Sequence, residues 1–530
     1  MGQGAGVIPR QRSGQITRRA VLGSAALPLL GCSDPPQVTG ALSGASAERG
    51  HLLRDRRSWP PAVPAGRVRV LIAGAGVAGL AAARALRQRR IDDFALVELE
   101  DAAGGNSRGG EIGGIACPLA AHYLPVPGDD AHEVQDLLEE LGLRQRVAGR
   151  WVYDERHLCH APQERLFFKG AWQEGLLPLQ GVSQATLTQY RRFADLVDRA
   201  GREARFTIPA PKTPPASHRT LDASTFAQWL YREGLTDGRL RWYLDYCCRD
   251  DYGAGIATVS AWAGIHYFAS RHGFQPPGDQ STERDAVLTW PEGNGWLTRR
   301  LAAPLGERLH AGRVVLRIAQ RRRGVEVDAW NIASQTVERW QAQQCIVALP
   351  VLAAERVLEN APELLGQRAQ RMRYAPWAVA NLHLREPLRD RGGAAPAWDN
   401  VVYGAPGLGY VDATHQSLDP RPGPTVLTWY SALREQARPA LLARSWREWL
   451  VEVMAELAQP HPDLASKLVH IEVARYGHAM AIPVPGTLAQ QASGVPSAAR
   501  LAFAHSDWAG YSIFEEAFTA GHKAGLSLRV

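Results

Sequence analysis

Gly74-Ala75-Gly76-Val77-Ala78-Gly79 sets three glycines at G-x-G-x-x-G spacing. Such a run acts through its backbone, because missing side chains let a pyrophosphate come close to amide N–H groups. Glu98 stands about twenty residues beyond the last glycine, where an acid bonds ribose hydroxyls. Glu100 lies one step further on the same face, already in a turn, so Glu98 is the better candidate. A second glycine pair, Gly104-Gly105, follows in the stretch ELEDAAGGNSRGG with Asn106 and Arg108 beside it. An ordinary surface turn does not need so many positions without a side chain.

These residues need a scaffold. Residues 68–73, VRVLIA, read as a buried parallel strand, and LAAARALRQRR after Gly79 reads as a helix with its apolar face inward. The helix N-terminus would offer free N–H groups and a partial positive charge to phosphates. FALVEL reads as a second strand ending near Glu98. Strand, glycine turn, helix and acid together describe a dinucleotide fold. They do not separate NAD from FAD.

The chain has 530 residues, 45% of them hydrophobic, which is enough for a sizeable core and for more than one domain. The net charge of +7 is mild, with 60 basic against 53 acidic residues. The only lysines are Lys169, Lys212, Lys467 and Lys523. No basic stripe is interleaved with aromatics, so no nucleic acid partner is expected. Arg321-Arg322-Arg323 before Gly324 reads as a solvated hairpin turn. His157, Cys159 and His160 lack a second ligand pair at zinc-like spacing, so no metal is expected.

Residues 1–32 read as an export signal. Arg18-Arg19 precede an apolar run, Ala20 to Leu30, too short for a mature membrane span, which needs ~20 residues. The arginine pair resembles the twin-arginine signal, with Val21 where phenylalanine is usual. Leu29-Leu30-Gly31-Cys32 resembles a bacterial lipobox, which would make Cys32 a lipid anchor. An ordinary signal with a chance cysteine is the alternative. The polar, Pro-rich 33–66 reads as a tether. The expected location is the periplasm or cell envelope, reached through the twin-arginine machinery.

The second glycine pair brings in a family. Gly104-Gly105 begins six residues after Glu98, and this resembles the flavin amine oxidase superfamily, which includes monoamine and polyamine oxidases, protoporphyrinogen oxidase and carotenoid desaturases. In that family the next residue is commonly arginine. Here it is Asn106, and Arg108 is expected to take the charge role. The resemblance implies non-covalent FAD, with Gly74, Gly76, Ala78, Gly79, Glu98, Gly104, Gly105, Asn106 and Arg108 around it. Ala120-Ala121-His122-Tyr123 resembles the small-small-x-Tyr segment at the flavin ring, which adds Ala121 and His122 to the cofactor set and Tyr123 to the substrate pocket. Residues 290–297, WPEGNGWL, resemble the P-x-G-G segment, with Asn294 inside the pair. Val315 matches the valine whose backbone lies beside the adenine.

Residues 501–521 resemble the family's closing strand, loop and helix. His505-Ser506-Asp507 stands where Gly-Glu is usual, and Asp507 is the implied substitute near the FAD phosphates. Trp508-Ala509-Gly510-Tyr511 resembles the segment carrying an aromatic of the substrate cage. Ser512-Ile513-Phe514-Glu515 has capping-box spacing, which predicts a helix from 513 whose positive end faces the flavin. Tyr476 and His478 lie where the family's last substrate strand crosses the flavin.

The expected fold class is α/β, a Rossmann-type FAD-binding domain interleaved with a mixed α/β substrate-binding domain. FAD-binding parts fall at 67–130, 290–380 and 471–530. Substrate parts fall at 131–289, mostly helical, and at 381–470. Trp262, His266, Tyr267 and Tyr252 read as helix core rather than pocket. Many amine oxidases place a lysine opposite the flavin, but YAPWAVANLHL at 374–384 holds none. No cysteine stands at the monoamine oxidase position for covalent flavin attachment. The implied activity is FAD-dependent oxidation of a small organic substrate, an amine among the candidates, by hydride transfer to flavin N5, with oxygen or a quinone as acceptor. No catalytic base is identified. Alternatives are a desaturase-like or dehydrogenase-like flavoenzyme, a NAD-linked dehydrogenase, and a non-catalytic FAD-binding subunit of an envelope complex.

Overall fold

The computed structural model describes Met1 and residues 38–55, 58–277, 286–419, 421–496 and 498–529. Apart from Met1, the expected export signal at 1–32, with Cys32, lies outside the described residues. Residues Val38–Val530 make one unit.

Two sheets carry the fold. In the first, Val63–Ala73 runs parallel to Phe94–Val97 on one side and to Thr336–Val347 on the other. Leu501–Phe503 is also parallel to Thr336–Val347, and Gly324–Asn331 and Arg313–Arg321 continue the sheet antiparallel. Phe94 to Val97 are all buried, as an uninterrupted apolar run requires when both faces of a parallel strand are covered. Helices Val77–Gln88 and Phe514–Ser527 cover one face, joining Leu80, Leu86 and Phe518 in a core with Ile72 and Ile346. Parallel strands carry their loops at one end, so residues 74–79, 98–108, 348–351 and 504–508 converge there.

The second sheet has eight strands, in the order Thr39–Gly44, Leu468–Ala481, Tyr374–Leu384, Thr425–Ala432, Tyr410–Asp412, Asp399–Val402, Glu164–Phe168, Ala171–Glu174. Helices Gln184–Glu203, Phe226–Arg232, Gly238–Tyr252 and Ala261–Ala269 pack into the core that backs it.

Three expectations are corrected. The span 33–66, read as a tether, holds a strand paired residue by residue with 470–475, a helix at Ala47–Asp55, and the start of Val63–Ala73. Its polar composition misled because an edge strand and a surface helix bury little. The divisions at 380/381 and 470/471 cut through Tyr374–Leu384 and Leu468–Ala481, which pair with each other throughout the second sheet. The capping box at 512–515 does not form. The helix starts at Phe514 behind Ile513 with no side-chain cap, because Ser512 Oγ accepts the Ala481 N–H at 2.9 Å.

Candidate functional site

The glycine turn is built by exclusion. A Cβ on Gly74 would meet the Ala348 carbonyl, and one on Gly79 would meet the Gly74 carbonyl. Gly76 differs, because nothing lies within 4 Å of the position its Cβ would take. Gly76 caps the helix Val77–Gln88 without a side-chain partner. The first-turn N–H groups of Val77, Ala78 and Gly79 therefore face outward with no intrahelical acceptor. Open space before free donors at a positive helix end is what an entering phosphate needs.

Glu98 lies beside this opening. Its carboxylate accepts the Ala75 N–H at 2.7 Å and the Glu100 N–H at 2.9 Å. Burial pushes the Glu98 carboxyl up, and those two donors oppose the shift. Spare lone pairs remain on each oxygen for sugar hydroxyls. Gly104 donates to the Ala75 carbonyl at 2.8 Å, so the second glycine pair lies against the first turn. Asn106 is exposed and its Nδ2 donates to the Ala479 carbonyl at 2.6 Å, tying this turn to the substrate sheet. Arg108 Nε donates to the Gly105 carbonyl at 3.2 Å, and Nη1 sits 3.5 Å from Glu100. Val315 pairs with Ala329 beside a bulge, its side chain buried in the core that holds Val97.

Segment 119–123 forms the wall between the sheets. Ala121 donates to the Asn106 carbonyl at 3.0 Å and accepts the Asn294 N–H at 3.0 Å. Around the segment stands an aromatic group drawn from distant strands. The His122 ring is 4.4 Å from Tyr430 and 5.3 Å from Trp398, and Tyr123 is 5.9 Å from Trp398. The hydroxyls of Tyr430 and Tyr476 donate to the Ala120 and Leu119 carbonyls at 3.0 and 3.1 Å. Burial pushes His122 down to about 3, so the imidazole is neutral.

Acids face the same place. The Tyr123 hydroxyl donates to Asp250 Oδ2 at 3.3 Å, and the Tyr246 hydroxyl to Asp399 Oδ2 at 3.4 Å. Burial and then the Asp251 charge push Asp250 up to about 7. Burial, Asp250 and Glu164 push Asp399 well above its usual range. The nearest guanidinium, Arg271, is engaged by Asp251 at 3.0 Å. Tyr123, Asp250 and Asp399 are only partly covered although protein surrounds them. Aromatic walls with under-neutralised carboxylates suit a small cation.

The C-terminal candidates lie elsewhere. Tyr511 is fully buried among Tyr252, Trp262 and His266, and its hydroxyl donates to Glu516 at 2.6 Å. Its ring packs in the helical core with residues 252–266. Asp507 is buried, with Oδ2 accepting from Val351 N–H at 2.9 Å and Tyr374 hydroxyl at 2.6 Å. Burial opposes its charge, but His505 and these donors together hold it below the usual carboxylate range. It anchors the helix Val351–Val357. His478 is exposed on Leu468–Ala481 with its ring 5.8 Å from Tyr374. Sequence reasoning missed Trp398, Tyr430, Asp250 and Asp399. Only the aromatic-rich stretch RWYLDYCCRDDYG hinted at one of them, since strand pairing, not spacing, brings them together.

A family model for flavin containing amine oxidoreductase matches residues 77–524. An L-amino acid dehydrogenase of Synechocystis sp. is 27% identical over 220 residues, 41% of this chain and 42% of that relative. The chain thus matches less than half the length of that curated relative. Putrescine oxidase, solved with putrescine bound, superposes with a TM-score of 0.67 at 19% identity over 88% of this chain and 99% of that one. Cyclohexylamine oxidase from Brevibacterium oxydans gives 0.64 at 18% identity, covering 87% of this chain and 98% of its own.

Proposed function

The chain belongs to the flavin-containing amine oxidoreductase family, and from that premise we propose that it oxidises a small organic amine with FAD. The observation that carries this is the open face of Gly76 beside buried Glu98, with aromatic and acidic side chains gathered around His122 and Tyr123. The groups present fit FAD: free helix donors and the open position at Gly76 for the pyrophosphate, and Glu98 for the adenosine ribose. When bound, FAD supplies the hydride acceptor.

The chain's own residues bind and orient. The first turn of Val77–Gln88 would hold the phosphates. Ala121, tied to Asn106 and Asn294, and His122, whose carbonyl accepts from Thr289, would orient the cofactor. Tyr123, Trp398, Tyr430 and Tyr476 exclude water and receive the substrate's apolar body. Asp250, once ionised, would hold its positive charge. Neutral His122 adds no competing cation. The four lysines lie away from these side chains: Lys467 with Asp463, Lys523 with Glu133, Lys169 over Phe168, Lys212 exposed. With none there to organise water for oxygen, a quinone or another acceptor is favoured over oxygen.

Purified protein should be yellow, with a band at about 450 nm that bleaches anaerobically with a subset of amines. Colourless protein sinks the flavin reading. A yellow protein that no amine bleaches favours the desaturase-like or non-catalytic alternative. Export by the twin-arginine route, with lipidation at Cys32, is part of the proposal. Cys32→Ala should move the protein from the membrane fraction to the soluble periplasm, and an unchanged distribution would refute the anchor.

A further inference from the structure

The segment Thr39–Asp55 precedes the residues matched by the family model, yet it reaches the cofactor loop. After pairing with Leu468–Ala481 up to Arg475, the chain turns, and Ala45 donates to the Arg475 carbonyl at 3.1 Å. Two backbone groups then meet the Glu100–Arg108 pair. The Ser46 N–H donates to Glu100 Oε1 at 2.8 Å, and the Gly44 carbonyl accepts from Arg108 Nη2 at 3.0 Å. The donor goes to the acid and the acceptor to the guanidinium, so both charges gain a matching dipole. Each side chain is only 13% exposed, so little water competes. Arg49 adds a second hold, on the Leu99 carbonyl at 3.0 Å and on Asp101 at 2.8 Å. The helix Ala47–Asp55 has no fully buried residue; Leu52 and Leu53 pack partly against the sheet core, and the polar contacts add to that hold.

The contacts continue inward. Arg108 also holds the Gly105 carbonyl, and a Cβ on Gly105 would lie 3.2 Å from Gly76 Cα. We propose that Thr39–Asp55 is a positioning strap: Gly44 and Ser46 lock the Glu100–Arg108 pair, the pair fixes the Gly104-Gly105 turn, and that turn holds open the space at Gly76 where the dinucleotide enters. The strap also joins the two sheets, since its strand belongs to one and its polar contacts to the other. This rests on the FAD reading above.

The test uses the full chain, stripped of flavin and titrated with FAD while flavin fluorescence and the melting temperature of the apo-protein are followed. Ser46→Pro removes the donor to Glu100 and should raise the FAD Kd about 10-fold or more, the cost of one charge-assisted bond. Arg54→Ala, whose side chain pairs with neighbouring Asp55 and not with the cofactor loop among the described residues, should bind as the wild type does. Should Ser46→Pro fail to fold, Arg49→Ala gives the reading, with a several-fold weaker Kd expected. Wild-type affinity in whichever of the two folds overturns the strap. A wild-type protein that takes up no FAD overturns the functional reading and the strap with it, an outcome distinct from a yellow wild type beside unaffected variants.

Discussion

The Tyr123 hydroxyl donates to Asp250 across 3.3 Å, joining the wall segment at 119–123 to the end of helix Gly238–Tyr252. Among the described residues, the two guanidinium groups that act on that acid are already paired, Arg271 with Asp251 and Arg249 with Asp245. A cationic substrate would therefore find an unpaired charge at Asp250 once that acid ionises.

A pH dependence follows. The folded protein holds Asp250 protonated up to about 7, against an ordinary value of 3.8, so it binds more protons than the unfolded chain between these limits. Stability from this group is full below the unfolded value and is lost as pH rises through about 7. Asp250→Asn should thus melt above the wild type at pH 8, by on the order of 1–3 kcal/mol, and match it at pH 4. Substrate affinity runs the other way. KM for a cationic amine should fall as Asp250 ionises and should become flat with pH in Asp250→Asn. Parallel melting curves for the two proteins at both pH values would refute the assignment.

Gly76 and Gly79 should respond oppositely to alanine. Gly76→Ala adds a methyl where nothing is in contact, so the apo-protein should keep its stability within ~0.5 kcal/mol while FAD binding is lost by steric block. Gly79→Ala drives a methyl into the Gly74 carbonyl and should cost ~2 kcal/mol or more in the apo-protein itself. Thermal melts with and without FAD separate the two. Normal FAD binding by Gly76→Ala would place the phosphates elsewhere.

Glu98→Gln keeps an acceptor for Ala75 N–H but loses the charge-assisted bonds to ribose. The FAD Kd should rise roughly 10- to 100-fold with a small change in apo stability. Glu98→Ala leaves the Ala75 and Glu100 donors unsatisfied and should also lower apo stability by ~1–3 kcal/mol. Equilibrium titration of each apo variant checks both numbers.

Tyr511→Phe removes the hydroxyl held by Glu516 and should cost ~1–2 kcal/mol of stability. As a core residue it should leave kcat/KM within about twofold of wild type. Tyr430→Phe frees the Ala120 carbonyl at the pocket wall and should change KM instead. A large KM effect in Tyr511→Phe alone would return that residue to the substrate cage.

The sequence alone determined what depends on local order. The glycine turn, its flanking strand and helix, Glu98 and the second glycine pair sit within about forty residues, and short-range sterics and hydrophobic periodicity dictate their conformation. Tertiary structure decided the rest. Trp398, Tyr430, Asp250 and Asp399 reach His122 and Tyr123 only through strand order and helix packing, which no spacing encodes. Ser512 has the right spacing for a cap, but the Ala481 N–H takes its oxygen. The polar stretch after residue 38 looks like a tether until an edge strand and an ion pair claim it. In the last two cases a partner far away in the chain offered a polar group a better bond than its neighbours could, and an unpaired buried group costs more than a broken local rule.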